Sequence, residues 1–101
     1  MARFKNKKID FDQSQVPADV VEHRVYFEVD QAPDYASAYV SMAPSKDPIV
    51  PDDIPGFPLG VVVYVGVTAI NSDGHESDMG MITDPFVFIA PPVPVFQVVD
   101  A

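Results

Sequence analysis

The stretch "VYVGVTAINSDGHESD", residues 63–78, decides how this chain is read. Its first half alternates apolar with small or polar residues at a period of two, the pattern of a strand with one buried face. Its second half opens with Asn71, Ser72, Asp73 and Gly74, residue types that turns prefer, and Gly74 can take a positive φ without steric cost. A long strand running into a tight turn is expected. Because the turn also holds His75, Glu76 and Asp78, a recognition loop, or a cation site using Asp73, Glu76 and Asp78, competes with a plain corner. The acids lack the regular spacing and terminal bidentate Glu of a calcium loop, and turn geometry accounts for most of the residues.

The same alternation extends to both sides. In "HRVYFEVD" (23–30) one face takes Val25, Phe27 and Val29, and the other takes Arg24, Tyr26, Glu28 and Asp30. In "VVVYVGVTAI" (61–70) Val61, Val63, Val65, Val67 and Ala69 form the core face, with Val62, Tyr64, Gly66 and Thr68 behind them. In "YASAYVSM" (35–42) Ala36, Ala38, Val40 and Met42 face in, while Tyr35, Ser37, Tyr39 and Ser41 face out. All four tyrosines of the chain therefore fall on outward faces. Eleven prolines interrupt the chain, and no proline-free segment carries apolar residues at helical spacing over three turns, so helices are excluded. Strands are expected at 7–12, 22–30, 35–43, 61–71, 79–89 and 94–99. Between them, "APSKDPIVPDDIPGFPLG" (43–60) reads as a proline-rich connection with a brief edge strand at Ile49 and Val50. Short strands separated by turn chemistry make an all-β sandwich or small barrel.

Composition bounds the remaining possibilities. With 101 residues, 48% of them hydrophobic and 11% aromatic, one core can be buried without metals or disulfides. The absence of cysteine excludes thiol catalysis and thiolate metal sites. "MARFKNKKIDF" (1–11) lacks the apolar stretch of a signal peptide, and no window is long and apolar enough for a membrane span, so a soluble product without membrane insertion is expected. Four of the six basic residues, Arg3, Lys5, Lys7 and Lys8, lie in the first eight positions, and all fifteen acids lie beyond them. A basic tail over residues 1–7 then precedes a strongly acidic domain over 8–101. Nucleic acid is not an expected partner, because no basic stripe exists beyond that tail.

Several segments resemble a fibronectin type III domain, a member of the immunoglobulin-like β-sandwiches. "VVEHRVYFEV" (20–29) resembles its third strand, "GFPLGVVVYVGVTAIN" (56–71) its "GLxPGTxYxVxVxAVN" stretch, "NSDGHES" (71–77) the turn that follows, and "KIDFD" (8–12) its second strand, with Ile9 and Phe11 in the two places of its "LxW". The resemblance covers residues 8–89. It implies two packed antiparallel sheets and recognition through loops. Phe11 stands at the tryptophan place, His23 at a tyrosine place and Val63 at the corner-tyrosine place, so no tyrosine-corner hydrogen bond is implied there. Too little chain precedes residue 8 for a full first strand. Residues 93–99 of "APPVPVFQVVDA" (90–101), rich in β-formers, are the candidate to fill that place. Two routes exist: folding back within one chain, which is favoured because "APPVP" is long enough to reverse, or donation to a neighbour.

Candidate binding residues follow from exposure and chemistry. Tyr26, Tyr35, Tyr39 and Tyr64 would share one sheet face with Arg24 and Thr68, and tyrosine combines a large apolar ring with a hydroxyl that suits interfaces. Asp73, His75 and Glu76 of the turn complete the candidate partner-binding set. Against this stands simple cross-strand pairing, which stabilises exposed sheets without any ligand. His23 and His75 lie in no nucleophile motif or metal-ligand spacing, and Asp52–Asp53 reads as a solvated pair rather than a general acid and base. No catalytic residue, metal or cofactor is assigned. The expectation is a non-enzymatic interaction or assembly module working through a protein partner or self-assembly. A subunit of a phage virion or surface filament is one such setting. The alternative is a carbohydrate-binding or calcium-dependent adhesion module, with tyrosines stacking on sugar rings.

Overall fold

The computed structural model describes residues 2–101. Seven strands follow in order: β1 (Lys7–Lys8), β2 (Val20–Val29), β3 (Ala38–Met42), β4 (Ile49–Val50), β5 (Val62–Asn71), β6 (Gly80–Met81) and β7 (Phe86–Val87). A short 3-10 turn, Gln13–Gln15, joins β1 to β2. All pairings are antiparallel. One sheet has five strands in the order β3-β2-β5-β6, with β7 also paired to β5, and the other is the pair β1-β4. The fold is all-β, two sheets enclosing one apolar layer as in a β-sandwich. Among the described residues no helix is long and apolar enough to cross a membrane.

The inward faces of β2 and β5 supply the centre of the core. Val25, Val63 and Val65 are buried, and Phe27, Val61 and Val67 pack against them. The facing layer brings Ile9, Val50, Ile54 and Phe57. Ile54 and Phe57 come from the proline-rich connection, where no alternation marked them as core. Phe57 is a hub, with ring centroids 5.6 Å from Phe27 and 5.9 Å from both Phe86 and Phe88. Edge-to-face and offset pairs of this kind add roughly 0.5–1.5 kcal/mol each beyond their buried area. The amino-terminal stretch is more than a basic tail, since Phe4 packs edge-on against Phe88 at 6.0 Å.

Several strands are shorter than alternation suggested, each for a local reason. The 7–12 strand closes at Lys8, because its partner β4 lies between Pro48 and Pro51, which have no N–H to extend the ladder. Just beyond, Asp12 accepts hydrogen bonds from the Ser14 backbone N–H (3.1 Å) and hydroxyl (2.6 Å) and starts the 3-10 turn. The 35–43 strand begins only at Ala38, because Asp34 and Ser37 close a turn, with Ser37 N–H donating to the Asp34 carbonyl at 3.0 Å. Ala36 and Ala38 are consequently exposed, and only Val40 and Met42 reach the core. The 79–89 strand is split into β6 and β7, with Pro85 directly before β7.

The largest correction concerns the carboxy-terminal segment. Residues 94–99 form no strand, and residues 93–99 do not fold back into the first-strand place. Residues 91–101 instead run exposed away from the sandwich, and the molecule measures 70 × 25 × 21 Å. Three prolines, Pro91, Pro92 and Pro94, fix φ near the extended value and oppose a sharp reversal.

Candidate functional site

The outer face of the five-stranded sheet brings the tyrosines and the 71–78 turn into one cluster. β2 and β3 set Tyr26 opposite Tyr39 and Arg24 opposite Ser41, while β2 and β5 set Arg24 opposite Thr68, Tyr26 opposite Gly66 and Glu28 opposite Tyr64. Alternation therefore placed these side chains on the correct face. One of them departs from the expected exposure: Tyr26 is only 1% exposed, whereas Tyr35 and Tyr39 are open to solvent at 54% and 46%. Tyr26 is covered because other side chains lie across it. The Tyr35 ring meets it edge-on at 6.0 Å and the Tyr39 ring lies at 5.1 Å.

Glu76 closes the cover. The turn beginning at Asn71 is tied by its own side chain, since Asn71 Oδ1 accepts hydrogen bonds from the backbone N–H groups of Asp73 (3.1 Å) and His75 (2.9 Å). Gly74 takes φ +84°, a left-handed conformation that glycine adopts without strain. The returning chain then bridges Ile70 with Glu76 and reaches Ser77, whose N–H donates to the Ala69 carbonyl at 2.9 Å. This geometry points the Glu76 carboxylate over β2 and β5. It accepts a hydrogen bond from the Tyr26 hydroxyl at 2.5 Å and another from the Thr68 hydroxyl at 2.6 Å, with Arg24 Nη1 at 3.5 Å.

Arg24 ties this centre to the edge strand. Its guanidinium sits 4.7 Å from the Tyr39 ring centroid, within cation–π range, and its Nε lies 3.5 Å from Glu22. Glu22 in turn accepts from the Ser41 hydroxyl. On the far side the Tyr35 hydroxyl donates to the Ser77 carbonyl at 2.9 Å. Burial of Glu76 pushes its carboxyl upward, but the hydrogen bonds from Thr68 and Tyr26 and the charge of Arg24 outweigh it, so the group ionises more readily than an ordinary glutamate. Burial, reinforced by the bond to Glu76, pushes the Tyr26 phenol up. The cluster is thus a neutral phenol and hydroxyl donating to a fixed carboxylate, and its chemistry is to pin the turn to the sheet.

The remaining candidates lie outside it. Asp73 and His75 are exposed on the turn, and Tyr64 is half-buried further along β5. Among the described residues no three His, Asp or Glu side chains converge as metal ligands, so Asp73, Glu76 and Asp78 do not come together. Asp53 is held rather than solvated: it accepts from the Ile49 N–H at 2.7 Å and lies 3.4 Å from Lys46, and these contacts lower its carboxyl pKa, the backbone hydrogen bond most of all. His23 is buried on the core face, stacked on Phe11 with centroids 4.3 Å apart, and its Nδ1 has no hydrogen-bond partner among the described residues. Burial accordingly lowers its pKa.

A second exposed feature is the carboxy-terminal segment. Val93, Val95, Phe96, Val98 and Val99 are all exposed, Val95 at 103% and Phe96 at 80%. No family model, curated protein or solved structure matches the chain.

Proposed function

We propose that the chain is a non-enzymatic assembly module whose β-sandwich carries an apolar segment, residues 93–99, for association with protein. The observation that carries this reading is the segment itself, five large apolar side chains in seven residues without a covering surface. Burying one such side chain is favourable by roughly 1.5–3 kcal/mol, and contiguous exposed apolar surface of this kind marks interaction sites. A fibronectin type III-like arrangement remains part of the proposal. The pairing of β1 with β4 against a sheet ordered β3-β2-β5 supports it. Sugar stacking on the tyrosine face has less support, because Tyr26 is buried, Arg24 lies against the Tyr39 ring and the Tyr35 hydroxyl is engaged by Ser77.

The test is sedimentation velocity over a hundredfold range of concentration, on the full chain and on a Val95→Asp/Val98→Asp variant. Self-association of the full chain, lost in the variant, is the expected result. A full chain that remains monomeric throughout, with a profile identical to the variant's, overturns assembly through this segment.

A further inference from the structure

We infer that residues 93–99 of one copy add as a strand to the open side of β1 in a second copy. The inference rests on the assembly reading above and goes beyond it by naming the acceptor.

The two-stranded sheet has one open side. β1 pairs with β4 in the register Lys7↔Val50 and Lys8↔Ile49, and the Ile9 N–H donates to the Pro48 carbonyl at 2.9 Å. Backbone groups in an antiparallel ladder point alternately to the partner and away from it. Lys7 and Ile9 therefore direct theirs at β4, and Asn6, Lys8 and Asp10 present theirs on the opposite side, where the described residues supply no third strand. The outer side of β4 is already satisfied. The Ile49 N–H donates to the Asp53 carboxylate at 2.7 Å, and the Ile49 carbonyl accepts from the Asp53 N–H at 2.7 Å.

Charge selects the same place. The open side of β1 lies in the stretch holding exposed Arg3, Lys5, Lys7 and Lys8, whereas the stretches around the outer strands of the larger sheet, 34–42 and 78–90, contain no basic residue. An incoming copy has a net charge of −9 and is repelled by acidic edges. Lysines on an edge strand ordinarily keep neighbours from pairing; towards so acidic a partner they attract.

The donor suits this acceptor. As a strand, residues 93–99 set Phe96 and Val98 on one face, the one that would continue the layer of buried Ile9 and half-buried Phe11, with Val93, Val95, Gln97 and Val99 on the other. The segment leaves its own body beside Ala2 and Arg3, at a groove shared with Ala90–Pro94, and its prolines keep it extended and available to another molecule. Each copy carries both a donor segment and an acceptor edge, and a contact between two different surfaces propagates into rings or open chains.

The chain has no cysteine, so an introduced one is unique. Lys8→Cys protein is mixed under mild oxidation with protein carrying Val95→Cys, Gln97→Cys or Val99→Cys, with Ser41→Cys on β3 and Thr83→Cys between β6 and β7 as acceptor controls at the edges of the larger sheet. Disulfide-linked heterodimers through Lys8→Cys, but not through the controls, are expected. Lys7→Glu/Lys8→Glu should weaken association about tenfold. Oligomers that cross-link the tail to Ser41→Cys or Thr83→Cys overturn the acceptor while leaving assembly intact. Absence of any oligomer in sedimentation overturns both.

Discussion

At the scale of single residues, Glu76 is the group on which the outer face depends. Glu76→Ala leaves the Tyr26 and Thr68 hydroxyls buried without their acceptor, and a lost partner of this kind costs about 1–3 kcal/mol. Glu76→Gln keeps an acceptor but loses the attraction to a partly exposed Arg24, so about 1 kcal/mol is expected. Denaturant midpoints at constant m-value measure both. Glu76 binds its proton less readily folded than unfolded, so its contribution is present above the ordinary pKa of 4.5 and is lost as pH falls below it. His23, also depressed when folded, is protonated preferentially in the unfolded chain, so stability falls as pH drops below 6.5. Midpoints measured from pH 7.5 to 3 should decline in two stages, with His23→Phe flattening the upper one and Glu76→Gln the lower.

At the scale of elements, β5 shows how a strand can be legible in pattern and still hold an unexpected constraint. Gly66 lies on its outer face opposite Tyr26, where an added Cβ would collide with the Met79 side chain and meet Met81 Sδ at 3.1 Å. The glycine therefore leaves room for the Met79 and Met81 side chains to lie across β5, although alternation alone marked it only as an outward position. Gly66→Ala should cost about 1–2 kcal/mol by displacing Met79, as overpacking does. Adding Met79→Ala should recover part of that loss, and a double-mutant cycle reads the coupling. The turn was more readable. Asn71 and Gly74 play the roles their residue types suggest, because those roles are local.

At the scale of the whole molecule, the packed core and the exposed apolar segment lie in different parts of the chain. The buried cluster and the aromatics packed on it lie between residues 4 and 88, and residues 91–101 contribute no strand. A chain ending at Ala90 should match the full chain in folding stability within about 0.5 kcal/mol, the range of changes at exposed sites, while losing self-association. Equilibrium denaturation and sedimentation of the same two samples separate the two effects. A large loss of stability on truncation would instead mean that the segment completes the sandwich within one chain.

The strands β2 and β5, the face of each of their side chains and the turn at 71–74 were determined by the sequence itself, because strand period and turn preference act over a few neighbouring residues. The exclusion of long helices followed equally from the spacing of prolines. Tertiary structure alone decided that Tyr26 is covered, because its acceptor Glu76 lies 50 residues away along the chain. It also decided that Ile54 and Phe57 enter the core from a segment without periodicity, and that residues 93–99 stay outside it. Burial is set by what distant chain is laid across a face, and no local pattern of residues encodes that.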